Sequence, residues 1–167
     1  MANLPISWKY KIAQLVKRPL LNRLMKWAIR LIIPRHRVGV VLVVMNEMEQ
    51  VLMLRHVFHP YAPWGLPGGW LNRHESPAEG VLRELKEETG LTAVLDTILF
   101  ADRQPNPPHL GIAYRGHLQS GSIELSGEII EADWFSFDTL PEPLLPFHRD
   151  VLETAVTTYR QGAYTQQ

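Results

Sequence analysis

The chain has 167 residues, 46% of them hydrophobic, and a formal net charge of zero. This length fits one domain with an extension and supports a sizeable core. The absence of cysteine excludes disulfides, thiolate metal sites and a cysteine nucleophile.

The neutral total hides a split. Residues 1–37 hold nine Lys/Arg and no Asp/Glu, whereas residues 38–167 hold eight Lys/Arg and seventeen Asp/Glu. A basic arm therefore precedes an acidic body. Apolar runs in the arm are broken by Lys17, Arg18, Arg23, Lys26 and Arg30, and no small-residue cleavage site follows them. No segment reaches the roughly 18 uninterrupted apolar residues of a membrane span. The expected location is cytoplasmic, with peripheral membrane contact as an added reading.

In chain order, residues 5–17 suggest a short helix of mixed pattern. Pro19 to Ile33 is clearer: Pro19 suits a helix start and Pro34 a stop. Leu21, Leu24, Met25, Ala28 and Ile32 follow the helical period, opposite Arg23, Lys26 and Arg30. Val38–Met45 is rich in β-branched residues and predicts a strand, with Val51–Arg55 as its hairpin partner. The Pro/Gly/aromatic stretch from His56 to Gly69 fits neither period. Ser76, Pro77 and Glu79 then form a helix-start signature, and Gly90 a left-handed stop, so a helix spans about 77–89. Further strands are predicted at Ala93–Ala101, Gly111–Leu118 and Asp133–Phe137, and a last helix at Arg149–Tyr159. The three prolines of Gln104–His109 read as a break in regular structure. This order gives an α+β fold, with helices packed on a mixed sheet.

The helix at 77–89 carries the chemistry. With Glu84 at zero on the helical wheel, Glu88 lies about 40° away and Glu87 about 60° on the other side. Val81, Leu82 and Leu85 form the adjoining apolar face, so the acidic face borders the core. Hard divalent cations take oxygen ligands, and Mg²⁺ is commonly held by one or two carboxylates plus substrate phosphates. A solvated helix face with Arg83–Glu87 pairing at i, i+4 is the plain alternative.

The spacing extends beyond the glutamates. Gly69, Glu75, Arg83, Glu84, Glu87, Glu88, Gly90 and Leu91 fill every fixed position of a stretch that resembles the Nudix box. Trp64-Gly65-Leu66-Pro67-Gly68-Gly69 resembles the loop preceding that box. Trp134-Phe135 with Leu140-Pro141 resembles the closing strand and link. The resemblance covers about residues 37–160. It implies an α/β/α sandwich and hydrolysis, dependent on Mg²⁺ or Mn²⁺, of a nucleoside diphosphate linked to another group. By the same resemblance Glu84 and Glu88 would be the main metal ligands, and Glu87 would serve a second ion. Gly69 would offer its carbonyl, Arg83 would orient the glutamates and Glu75 would brace the loop–helix junction. The general base would be a box glutamate or a downstream acid, with Glu128, Glu131 and Asp133 as candidates. A nucleotide-sensing domain without turnover is the alternative. The domain expectation is an extension at 1–36, a Nudix hydrolase domain at 37–160 and a tail at 161–167.

Substrate recognition is expected from aromatic stacking and scattered cations. Phe58, Tyr61, Trp64 and Trp70 flank the glycine loop, and Arg55, Arg103 and Arg115 can meet phosphates. His56, His59 and His109 are further contacts, without zinc-type spacing. Pro107 stands about sixteen residues beyond the box, where some ADP-ribose-hydrolysing members resembled by this chain carry a proline. ADP-ribose, a nucleotide sugar, a dinucleotide and a nucleoside triphosphate all remain open. For the arm, residues 5–33, three readings compete: docking on the body or in a homodimer, contact with an anionic membrane, and nucleic-acid binding. The last is disfavoured by the acidic body and the lack of a base-reading motif. Membrane contact would make a membrane-associated diphosphate a further substrate reading.

Overall fold

The computed structural model describes residues 5–33 and 35–164. Pro34, read above as a helix stop, and residues 165–167 of the expected tail lie outside the described residues. The chain divides into two compact units, residues 1–35 and 36–167.

The first unit is a helical pair, α1 (Ile6–Val16) and α2 (Pro19–Ile32). Pro19 occupies the first turn of α2, where a missing N–H costs nothing. Both helices match the expected extension. No helix among the described residues is long and apolar enough to cross a membrane.

The second unit is built on a seven-stranded mixed sheet. At its centre lies β1 (Arg37–Met45), followed by β2 (Val51–His56). Both are buried on two faces, which explains their continuous runs of Val and Leu. Val40, Leu42, Val44, Leu52 and Leu54 point to one core; Val41, Val43, Val51 and Met53 point to the other. The first core is closed by α3 (Pro77–Thr89) through Val81 and Leu85. The second is closed by α4 (Pro146–Tyr164) through Val151, Leu152 and Ala155. Each fully buried Val or Leu contributes about 1.5–3 kcal/mol. Helix, sheet and helix thus form the three layers of an α/β/α sandwich.

Three further strands flank this pair. β5 (Thr92–Pro105) and β6 (Pro108–Ser120) form a long antiparallel hairpin, and β6 runs parallel to β1. β7 (Ile129–Phe135) pairs with the outer side of β2. This corrects the expectation that the prolines of 104–109 exclude regular structure. Gln104 still pairs with His109 and Pro105 with Pro108, leaving Asn106–Pro107 as the tip. Proline is compatible with a ladder where the ladder ends.

The site is created by a split in the sheet. β1 and β2 share a register only at Met45↔Val51. Beyond it, β2 pairs with β3 (Trp64–Gly65) and β1 pairs with β4 (Gly68–Trp70). All of β3 and most of β4 fall in the stretch that fits neither period; at two and three residues they are too short to display one. The segment is nevertheless pinned, with Leu42 N–H donating to Pro67 O and Leu71 N–H to Val38 O.

Candidate active site

Helix α3 is anchored at both ends by local chemistry. Ser76 Oγ accepts the Glu79 N–H (3.3 Å), and Glu79 accepts the Ser76 N–H (2.8 Å), a complete capping box. At the other end Gly90 has φ 73° and donates its N–H to Lys86 O. Only a residue without Cβ adopts that conformation readily. These ends fix which carboxylates face the split.

Arg83 ties the preceding loop to the helix. Its Nε and one terminal nitrogen grip Glu75 at 3.0 and 2.8 Å, and the latter nitrogen also reaches Trp70 O at 3.2 Å. The other terminal nitrogen holds Glu87 at 2.8 Å and Glu84 at 3.0 Å. The Arg83 hydrogen bonds, with the Asn72 N–H, hold the Glu75 carboxyl down at about 2. Such a bidentate pair fixes geometry as well as charge.

Glu88 reaches deepest. It is one of two buried polar residues among those described, and it accepts the Gly68 N–H at 3.0 Å. Burial pushes its carboxyl up to about 8, aided by the charges of Glu84, Glu128 and Glu87 and opposed by the Gly68 N–H. Burial also raises Glu84, against the pull of Arg83. His56 Nδ1 lies 3.9 Å from Glu88, but burial and His59 hold the imidazole down at about 4. That contact is therefore between polar neighbours, not an ion pair, near neutral pH.

Two glycines allow the close approach. A Cβ on Gly69 would collide with the Glu84 carboxylate, and one on Gly68 with Val40 O. Above them lies a cleft of about 670 Å³ lined by Glu84, Glu87, Glu88 and Glu128, with Phe58, His59, Ser126 and Gly127. Glu128 is delivered by a loop tied to the end of α3: Ser126 N–H donates to Glu88 O, and Glu124 N–H to Thr89 O.

This donor set suits a hard divalent ion: four carboxylates face one space, and two have raised affinities for a proton. A cation would relieve both burial and mutual repulsion. Among the described residues, no three His, Asp or Glu side chains form a ready metal cluster. Arg83 draws Glu84 and Glu87 to itself, and Glu88 turns to Gly68.

A second cavity, about 430 Å³, adjoins the first at His56, His59, Gly68, Gly69 and Trp70. Its other walls are the β5–β6 tip (Gln104–Pro107), His109 and the start of α4 (Leu145–His148). Trp70 is 42% exposed and meets His109 edge-on at 4.9 Å. The Arg37 guanidinium stands 5.8 Å from the Trp70 ring centre. His148 is half-buried, and its Nδ1 accepts the Leu66 N–H at 2.8 Å. Burial, with His56 and His59 nearby, lowers it to about 3.

The remaining sequence-read residues sit elsewhere. Trp64 packs edge-on against Phe135 in the α4-side core. Arg55 is exposed and pairs with Glu131 at 3.4 Å. Asp133 accepts the Trp134 N–H, and Arg103 lies exposed on β5. None of these five lines either cavity. Sequence reasoning missed Phe147 and His148, which carry no local signal: folding brings them to the glycine loop from about eighty residues away.

Comparison with known proteins agrees with this arrangement. The NUDIX domain family matches residues 35–155. An RNA pyrophosphohydrolase from Brucella ovis is 35% identical over 124 residues, covering 60% of this chain and 70% of that protein. Among solved structures, a MutT NUDIX hydrolase from Burkholderia pseudomallei superposes with a TM-score of 0.65 at 28% identity, covering 72% of this chain and 98% of the other. An ADP-ribose pyrophosphatase from Streptococcus suis shares the fold, with a TM-score of 0.64 at 24% identity over 75% of this chain and 93% of its own. With the box helix, the split sheet and these matches in agreement, the chain belongs to the Nudix hydrolases.

Proposed function

We propose that this Nudix hydrolase cleaves the diphosphate linkage of a nucleoside diphosphate joined to a second group, using Mg²⁺ or Mn²⁺. One observation carries the reading: a cleft of four carboxylates adjoins a cavity walled by Trp70, His109 and Phe147. The first suits a cation with a diphosphate, and the second suits a planar uncharged base.

Glu84, Glu87 and Glu88, with the Gly69 carbonyl, would hold the ion. When bound, it supplies charge neutralisation for the diphosphate and acidifies a water molecule. Arg83 and Glu75 act as positioning residues, since their mutual grip sets the glutamates and the Trp70 carbonyl. Trp70 stacks the base. The proton of the attacking water goes to a box glutamate or to Glu128, the downstream acid that lines the cleft. Glu131 and Asp133, engaged elsewhere, are the weaker choices for that role. Hydrolysis leaves a phosphate on each fragment.

The test is a substrate panel with Mg²⁺ and Mn²⁺: ADP-ribose, a nucleotide sugar, a dinucleoside polyphosphate, a nucleoside triphosphate and an RNA bearing a 5′ triphosphate. The RNA is included because the Brucella relative bears the name RNA pyrophosphohydrolase. The expected result is divalent-dependent cleavage of at least one class, lost in Glu84→Gln and Glu88→Gln. Tight nucleotide binding without turnover of any class would favour a sensing domain instead.

A further inference from the structure

Helix α2 is left over by the hydrolase chemistry, and its surface is sharply divided. At 100° per residue, its apolar side chains span an arc of about 200°, from Trp27 through Leu20, Leu31 and Leu24 to Ile29. The remaining arc holds Asn22, Lys26, Arg30 and Arg23, with Pro19 of the first turn as its one apolar member. None of the α2 side chains is buried. Leu20 is 74% exposed and Trp27 64%. Trp27 lies on the boundary between the two arcs. On α1, Trp8 and Leu15 are exposed as well.

We propose that this helical pair is a docking element for an anionic lipid surface, with α2 lying in the interfacial plane. An apolar arc this wide calls for hydrocarbon, and an opposing arc with three cations calls for anions; a bilayer of acidic phospholipids supplies both. An indole at the rim suits the headgroup level. At fourteen residues, α2 is about 21 Å long, which fits lying flat and not spanning. The segment 1–37 contains no acidic residue, so its nine cations have no partner within it. A second copy would bring the same positive charge to a self-complementary contact, which opposes a dimer through this face. Phosphates of nucleic acid would satisfy the cationic arc and leave the apolar arc in water. The inference does not depend on which diphosphate the cleft accepts.

The experiment is cosedimentation of the whole 167-residue chain with phosphatidylcholine vesicles, with and without phosphatidylglycerol, alongside tryptophan fluorescence. Binding is expected only with the anionic lipid, weakening with salt, accompanied by a blue shift that shrinks in Trp27→Phe. The triple variant Arg23→Gln/Lys26→Gln/Arg30→Gln should bind at least about tenfold more weakly. Leu24→Ser/Leu31→Ser should lose the blue shift while its thermal transition and its hydrolysis of a soluble nucleotide stay unchanged. No binding to anionic vesicles at low salt would overturn the proposal, as would a charge variant that binds like the wild type. A dimer dispersed by Leu24→Ser/Leu31→Ser, or RNA-oligonucleotide binding, without vesicle binding would assign the face to another partner.

Discussion

The two cavities that meet at Gly68, Gly69 and Trp70 differ in the charge of their walls. The cleft beside α3 gathers Glu84, Glu87, Glu88 and Glu128. The cavity beside α4 has no carboxylate and presents aromatic rings, prolines and imidazoles. Both arise from one feature, the parting of β1 from β2 after Met45↔Val51. The difference teaches that a single opening in a sheet can set a carboxylate-lined wall beside an aromatic one. The α3 side supplies acids from a capped helix. The α4 side supplies apolar walls from a distant helix start and a hairpin tip.

That contrast can be broken from either side. The largest effect is expected on the acidic side: Glu84→Gln or Glu88→Gln should lower divalent-dependent turnover about a thousandfold, ~4 kcal/mol of transition-state stabilisation. Metal-supported turnover retained in both variants would remove the acids from the chemistry.

On the other side, His148 should leave a signature in stability and not in turnover. Its folded pKa, about 3, lies below the free value of 6.5. Above pH 6.5 the imidazole is neutral in folded and unfolded chains alike. As pH falls below 6.5 the unfolded chain gains a proton that the folded chain refuses, so stability declines toward pH 3. Thermal or urea unfolding between pH 7 and pH 4 should show a loss on the order of 3 kcal/mol that His148→Gln does not share. Parallel profiles for the two proteins would refute it.

Gly69→Ala sharpens the junction. Its Cβ would meet the movable end of Glu84, so the side chain can swing away with little cost to the fold. Turnover should fall about a hundredfold, ~3 kcal/mol, with the melting temperature nearly unchanged. A collapse of stability would show instead that backbone space is limiting there. The smallest effect belongs to Trp70→Ala, which should raise KM about tenfold, ~1.4 kcal/mol, and leave kcat near wild type. A kcat defect with KM intact would move Trp70 from recognition into chemistry.

The acidic side was largely legible in the sequence because its signals are local. Ser76, Glu79 and Gly90 mark the helix ends within fifteen residues, and the glutamate spacing sets the face. β1 and β2 were legible because burial on both sides selects unbroken apolar runs. The aromatic side was not. β3 and β4 are too short for a period, and Phe147 and His148 reach the glycine loop only through tertiary folding. Trp64 shows the limit of reading by type: beside the glycine loop it looks like a base-stacking residue, yet strand alternation turns it toward Phe135. β7 begins at Ile129, earlier than read, because it is an edge strand whose polar residues, Glu131 and Asp133, obscure its pattern. The prolines of the β5–β6 tip misled because proline forbids a ladder's interior and not its end.

The division between the two cavities is tested most directly by equilibrium Mn²⁺ binding, followed by the signal of the free ion, to the wild type, Glu88→Gln and Trp70→Ala. The account predicts equal binding by the wild type and Trp70→Ala, and binding weakened at least about tenfold in Glu88→Gln. Equal binding by all three proteins, or a loss confined to Trp70→Ala, would contradict it.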